Sequence, residues 1–129
     1  MNGYKKAVFD ALMWGQGVEN LVLDIILKCV ANGALKMSDA HLEKTKNKHG
    51  LSQLADTLKP CIDDDLYGSI KSLAKDRNDV AHRAADEYMK SVLCEVGPEE
   101  IVLWKLEEVK KHAGDIYGKL LDVHEKYSR

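Results

Sequence analysis

The stretch DDDLYGSIKSLAKDRNDVAHRAADEYMKSVLCEV, residues 63–96, decides the fold because it has the pattern of one long amphipathic helix. Three acidic residues open it, and acidic side chains are favourable at a helix N-terminus. Apolar residues then recur at helical spacing, at Leu66, Ile70, Leu73, Val80, Ala84, Tyr88 and Val92. The polar residues Arg77, Asn78, Asp79 and His82 interrupt this pattern. The pattern therefore predicts a long helix with one break at most.

The N-terminal half of the chain also predicts helices. Residues 4–31 carry an apolar stripe, and Asn32-Gly33 supplies a stop after it. The stripe consists of Val8, Leu12, Val18, Val22, Ile25, Ile26 and Cys29. Ser38 is a candidate N-cap and Gly50 a candidate stop, so the polar segment between them predicts a short helix or a polar arm.

The remaining segments extend the helical pattern. A short third helix is expected, with Ser52 as a candidate cap and Pro60 near its end. The long helix should run to Gly97, and Pro98 should open a last helix. Its stripe is Val102, Leu106, Val109, Ala113, Ile116, Leu120 and Tyr127. Since no convincing strand pattern is present, we predict an all-α, compact up-and-down bundle of about four to five helices.

Composition limits both the size of the fold and the classes of function. The 129 residues are 45% hydrophobic, enough for one ordinary core, and we expect a single domain over residues 1–129. Nineteen basic and 21 acidic side chains give a formal net charge of -2. This balance excludes a global positive field that would bind nucleic acid indiscriminately. Any contact with a polyanion must be local.

The cysteines and the N-terminal segment indicate a cytoplasmic protein. Cys29, Cys61 and Cys94 are odd in number and lie among apolar neighbours, which is typical of buried thiols in a reducing compartment. No histidine or cysteine spacing fits a metal site, so no metal or cofactor is predicted. The apolar runs are too short and too often interrupted by charges for a signal peptide or a membrane span.

The polar cluster in the long helix raises a question of orientation. Because each helical residue advances by about 100°, Arg77 and His82 point about 140° apart, whereas Asn78 and His82 share a face. Arg77 falls within the apolar arc, where an unpaired charge is very costly. Either a new helix begins at Asp76 or Asn78, or the apolar seam faces a second subunit across a shared cleft.

A simpler structural interpretation stays open beside these two. Asp76 and Asp79 would pair with Arg77 or Arg83 on a solvated helix face, and His82 would be an interface histidine. If two copies of the cluster meet instead, they combine a permanently charged phosphate binder with a histidine that exchanges protons near neutral pH. That combination suits cleavage of a phosphodiester without a metal.

The segment RNDVAH, Arg77 to His82, resembles the signature of the HEPN superfamily. That signature is an arginine, four to six further residues and a histidine, usually with a polar residue after the arginine, the place that Asn78 takes here. The resemblance implies a small all-α domain that works as a homodimer. Many such proteins are metal-independent endoribonucleases of toxin–antitoxin and phage-defence systems.

The resemblance also implies roles for individual residues. Arg77 would stabilise negative charge on the phosphorane, and Asn78 would position the phosphate or the histidine. His82 would act as general base or acid while the ribose 2′-hydroxyl attacks the adjacent phosphate. Lys75 and Arg83 flank this motif and are our predicted RNA-binding residues.

The resemblance further implies partners, with one departure. A cognate antitoxin or a nucleotidyltransferase partner is expected in such systems, together with the RNA substrate. One subgroup carries a tyrosine two residues after the histidine, where nucleotides are attached, but this chain has Ala84 there. Two alternatives remain: a non-catalytic HEPN-like module that binds a nucleotide or a partner protein, and a helical adaptor without a nucleotide site.

Overall fold

The computed structural model describes residues 3–94 and 100–128, and it describes side chains for residues 6–83, 85–86 and 105–128. Within these ranges the protein is an all-α bundle, as predicted, with five α-helices and one short 3-10 helix. No described helix combines the length and the apolar character that crossing a membrane would require.

The helices follow one another along the chain with short connections. They are α1 (Gly3–Ala31), α2 (Asp39–Lys48), α3 (Leu51–Leu58), α4 (Asp64–Cys94) and α5 (Glu100–Tyr127), and the 3-10 helix spans Lys59–Cys61. Of the three long helices, α1 and α5 pack most extensively against each other. Helix α4 contacts α1, α3 and α5, so its side chains reach three neighbours.

The end of α1 confirms the predicted stop. Gly33 has a φ of 85°, in the left-handed region that glycine adopts most easily after a helix. The side chain of Asn32 accepts a hydrogen bond from the Ala34 amide at 3.0 Å and donates one to the Tyr127 carbonyl at 3.0 Å. The turn therefore ties the end of α1 to the end of α5.

The starts of α2 and α3 are capped differently. Ser38 is the N-cap of α2, as predicted, and its hydroxyl accepts a hydrogen bond from the His41 amide at 3.2 Å. The prediction that Ser52 caps α3 is wrong, because Gly50 is the N-cap and the Gln53 side chain reaches back to its amide at 3.2 Å. Pro60 lies in the 3-10 helix directly after α3, where a helix end was predicted.

Helix α4 runs without interruption through the polar cluster. Asp63 caps it by accepting a hydrogen bond from the Leu66 amide at 2.7 Å. The prediction that a new helix begins at Asp76 or Asn78 is wrong, since both residues lie inside one continuous helix. Gly97 and Pro98, the predicted boundary between the last two helices, lie outside the described residues.

The core consists of the apolar stripes that the sequence predicts. The stripe residues with described side chains that are buried are Val18, Val22, Ile25, Ile26 and Cys29 on α1, Leu66, Ile70, Leu73 and Val80 on α4, and Leu106, Val109, Ala113, Ile116 and Leu120 on α5. Helix α3 adds Leu51, Leu54, Ala55 and Leu58. This packing fixes which face of α4 points inward, and with it the direction of each polar side chain.

Candidate functional site

The continuous helix separates the polar residues of α4 into two directions. Asn78 and His82 are exposed and lie one turn apart on the same face. Arg77 is half-buried and points toward α1. His82 makes no hydrogen bond or ion pair with another described residue. Within one chain, the arginine and the histidine therefore do not converge on one point.

Arg77 bridges α4 to α1 through both terminal nitrogens. Its Nη1 donates to the Glu19 carboxylate at 2.5 Å, and its Nη2 donates to the Gln16 side-chain oxygen at 2.9 Å. The exposed fractions of the two charged side chains are 22% for Arg77 and 23% for Glu19. A partly buried, charge-assisted pair of this kind satisfies the guanidinium within the apolar arc.

A glycine on α1 makes room for this arginine. Gly15 is buried, and a Cβ atom placed on it would lie 2.8 Å from Cδ of Arg77 and 3.2 Å from its Nε. Real Cβ atoms essentially never approach a heavy atom that closely. The stem of Arg77 therefore packs against α1 at a position where the helix carries no side chain.

Arg77 and Asn78 border an open cleft of about 450 Å³ between α1, α3 and α4. Its lining residues are Leu12, Glu19, Gly50, Leu51, Ser52, Gln53, Ala74, Arg77, Asn78 and Ala81. The cleft thus brings an arginine, an asparagine and a glutamate together with the first turn of α3. Donors such as Arg77 and the Asn78 amide suit an anionic ligand, whereas Glu19 opposes one.

The two predicted RNA-binding residues take different positions. Lys75 is exposed and precedes Asn78 by three residues, so it shares the face of Asn78 and His82. Arg83 is also exposed, but it follows His82 directly and therefore points about 100° away from it. The structure brings Lys75 beside the candidate site and directs Arg83 elsewhere.

The alternative pairing within α4 is wrong. Arg77 pairs with Glu19, and among the described residues neither Asp76 nor Asp79 forms an ion pair with Arg77 or Arg83. The reason is direction: Arg77 faces the neighbouring helix, where a carboxylate is already close. An intrahelical partner would have drawn it toward solvent.

Among the residues that the structure describes, the other chemically reactive groups do not gather into a further candidate site. Burial raises the pKa of the Cys29 thiol to about 12, with a further contribution from Cys61, so this thiol is protonated and unreactive at neutral pH. Among the described residues, no group of three or more His, Cys, Asp or Glu side chains could hold a metal ion. A smaller cleft of about 280 Å³ near His112 on α5 mixes acids and lysines along its walls.

Sequence reasoning missed Gly15, Gln16 and Glu19. Two signals were available: a glycine inside a helical pattern marks a close approach of another element, and an acid bordering an apolar stripe is a natural partner for a buried cation. No protein-family model, curated protein or solved structure matches this chain. The function must therefore be argued from the residues themselves.

Proposed function

We propose that this chain is a metal-independent endoribonuclease of the HEPN type, acting in the cytoplasm as a homodimer and serving as a toxin or phage-defence effector. The observation that carries the proposal is the position of Arg77 and Asn78 on the wall of one open cleft, with His82 one turn beyond Asn78 on an exposed face. The RNDVAH motif supplies the class of reaction, because its residue types match cleavage by the ribose 2′-hydroxyl.

Each residue then has a defined task. His82 takes the proton from the 2′-hydroxyl, the resulting oxyanion attacks the adjacent phosphorus, and the bond from phosphorus to the 5′-oxygen breaks. His82 of the second copy in the homodimer gives a proton to the departing 5′-oxygen. Arg77 stabilises the charge of the phosphorane, and Asn78 positions it. The products are a 2′,3′-cyclic phosphate and a 5′-hydroxyl, and no cofactor takes part.

The direction of these side chains supports the homodimer part of the proposal. Arg77 points to α1 and His82 points to solvent, so one chain alone does not present both to one phosphate. Two copies related by a two-fold axis would supply both histidines and both arginines to a shared site. Lys75 would bind flanking RNA phosphates from the same face, and Arg83 would contact RNA further from the cut.

One observation favours a second candidate, the non-catalytic module that binds a nucleotide or a partner protein. Both terminal nitrogens of Arg77 already have acceptors on α1. An arginine used only to join two helices needs no substrate. Under this alternative the protein binds its ligand without cleaving RNA.

A metal-free cleavage assay separates the two candidates. Total RNA is incubated in EDTA with wild type, with His82→Ala and with His41→Ala, which removes another exposed histidine, on α2. We expect wild type and His41→Ala to make 2′,3′-cyclic phosphate and 5′-hydroxyl ends, and His82→Ala to lose at least about 100-fold of the rate. Equal activity in all three would refute the role of His82, and no activity in any would favour the binding module.

A further inference from the structure

The charge of Arg77 is already compensated inside the cleft. Glu19 lines the same cleft and binds Nη1, while Gln16 binds Nη2 without a charge of its own. A carboxylate and a phosphate offer the guanidinium fork the same kind of oxygen acceptors. Any phosphate entering the cleft therefore meets an arginine whose anionic partner is in place.

The path of the Arg77 stem limits how the arginine can respond. The stem packs directly against Gly15, so closely that a Cβ atom there would lie 2.8 Å from Cδ of Arg77. The Glu19 side chain is 23% exposed, about as much as the 22% of Arg77, and it also lines the cleft. Displacing the arginine would break this packing and both of its hydrogen bonds, whereas the only polar contact of the Glu19 side chain among the described residues is with Arg77. When an anion arrives, moving the carboxylate therefore breaks fewer contacts than moving the arginine.

We propose that Glu19 is a built-in competitor of the RNA phosphate for Arg77, so that the strength of this ion pair sets the affinity of the site for RNA. The choice of RNA as ligand rests on the proposed function, whereas the competition itself rests on the contacts of Arg77. Neutralising Glu19 while keeping its shape should tighten binding, because the repulsion of the phosphate disappears and the guanidinium keeps a neutral acceptor.

Glu19→Gln tests this directly, and Asp10→Asn is its matched control. Asp10 also lies on α1 and also pairs with a cation, Lys110 at 3.4 Å, with an exposed fraction of 27%. Both variants remove one negative charge, but only Glu19→Gln removes it from the cleft. The probe is a short fluorescein-labelled 2′-O-methyl oligoribonucleotide of mixed sequence, which cannot be cleaved by 2′-hydroxyl attack.

Fluorescence anisotropy gives the dissociation constant of each variant over a range of salt concentrations. We expect Glu19→Gln to bind this probe about three- to tenfold more tightly than wild type. The slope of log affinity against log salt should steepen by about 0.7, the value for one additional phosphate contact on a single strand. Asp10→Asn should change affinity by less than about twofold.

Two further variants make the assignment specific. Gln16→Glu adds a second carboxylate to Arg77 and should weaken binding, in the opposite direction to Glu19→Gln. In a Glu19→Gln/Arg77→Gln double variant, the gain of Glu19→Gln should vanish. Circular dichroism and thermal unfolding establish that each variant is folded before binding is measured.

The outcomes distinguish failure of the competition between Glu19 and phosphate from failure of the proposed ribonuclease activity. Unchanged or weaker binding by Glu19→Gln, an equal gain in Asp10→Asn, or a gain that survives loss of Arg77 would each overturn the competition. If the gain appears as expected but wild type cleaves no RNA, the ribonuclease fails and the competition stands. If no variant binds the probe, the competition for RNA phosphate fails, whatever the cleavage assay shows.

Discussion

Two cations among the described side chains of α4 bridge to neighbouring helices, and they do so in different surroundings. Lys71 reaches α3, where its Nζ binds the Asp56 carboxylate at 3.0 Å and the Ser52 hydroxyl at 2.6 Å. Arg77 reaches α1, where it binds Glu19 and Gln16. Both contacts tie α4 to another element of the bundle.

The difference lies in what surrounds each pair. The Asp56 side chain is 55% exposed and also accepts the Tyr67 hydroxyl at 2.6 Å, so Lys71 sits in a solvated network. Glu19 is only 23% exposed, and its pair with Arg77 borders the cleft of about 450 Å³. A solvated pair contributes little beyond a weak structural tie. A partly buried pair beside open space can exchange its partner, and this makes Arg77 the better candidate for function.

The largest effect is expected from replacing Arg77, and the replacement of Lys71 is the comparison. Arg77→Lys keeps the charge but loses the planar fork, and we expect RNA cleavage to fall by about 100-fold because transition-state stabilisation depends on that geometry. Lys71→Ala removes the solvated pair and should leave the rate within about threefold of wild type. Both rates are measured on the same RNA in EDTA.

Loss of activity must reflect the site and not the fold. Thermal unfolding of both variants is the control, and we expect each to lose less than about 2 kcal/mol of unfolding free energy. Comparable cleavage by the two variants would mean that the Arg77–Glu19 pair is no more important for activity than the Lys71–Asp56 pair. It would also favour the adaptor in which Arg77 merely joins two helices.

Alanine substitutions at two glycines of α1, Gly15 and Gly17, are expected to have the next largest effects. Gly15→Ala places a Cβ atom 2.8 Å from Cδ of Arg77, whereas the nearest side-chain atom to a Cβ at Gly17 is Tyr117 Cε2 at an ordinary 3.9 Å. Alanine at a helix interior stabilises by about 0.5–1 kcal/mol relative to glycine. We expect Gly17→Ala to raise the free energy of unfolding by this amount. In Gly15→Ala the gain should be cancelled, because the new Cβ atom displaces Arg77.

Urea unfolding and RNA cleavage report these two changes separately. Gly15→Ala should be about 1–2 kcal/mol less stable than Gly17→Ala and should cleave RNA about tenfold more slowly than wild type. Gly17→Ala should cleave at the wild-type rate. Equal stability and equal cleavage would mean that the stem of Arg77 is free to take another path.

The sequence predicts most of the fold because the information is local. Apolar spacing identified the buried face of α4, and Ser38 was recognisable as a cap from its residue type. The start of α3 was misplaced because Gly50 has no capping side chain, and the hydrogen bond comes instead from Gln53. Leu51, the first residue of α3, is buried in the core, and the packing that buries it is a tertiary property.

The candidate site was predictable only in part, because part of it depends on contacts between residues that are distant in the sequence. Helical spacing places Asn78 and His82 on one face and Arg77 on the apolar side, and the structure agrees. The partner of Arg77 lies 58 residues away in the sequence, on α1. Periodicity tells which face of a helix is buried, but it does not tell which helix covers that face.

The smallest expected effect concerns the solvated network around Lys71. The Tyr67 hydroxyl, followed by Lys71, lowers the pKa of the Asp56 carboxyl below its ordinary value. A lowered folded-state pKa contributes stability that is present above the unfolded value, about 4, and is lost as the pH falls through the folded value. Tyr67→Phe removes the strongest of these interactions, so it should reduce this acid-sensitive part of the stability.

Urea unfolding at about pH 5 and about pH 3 measures this part. Tyr67→Phe should lose less stability between the two pH values than wild type does, and the difference should be small because solvent screens the Asp56 carboxylate. Tyr117→Phe is the matched control, because its hydroxyl makes no hydrogen bond with the described residues. Tyr117→Phe should lose as much stability between the two pH values as wild type does. A larger effect at Tyr67 would mean that the Lys71 network is a substantial stabilising element, and the contrast with Arg77 would then rest on the cleft alone.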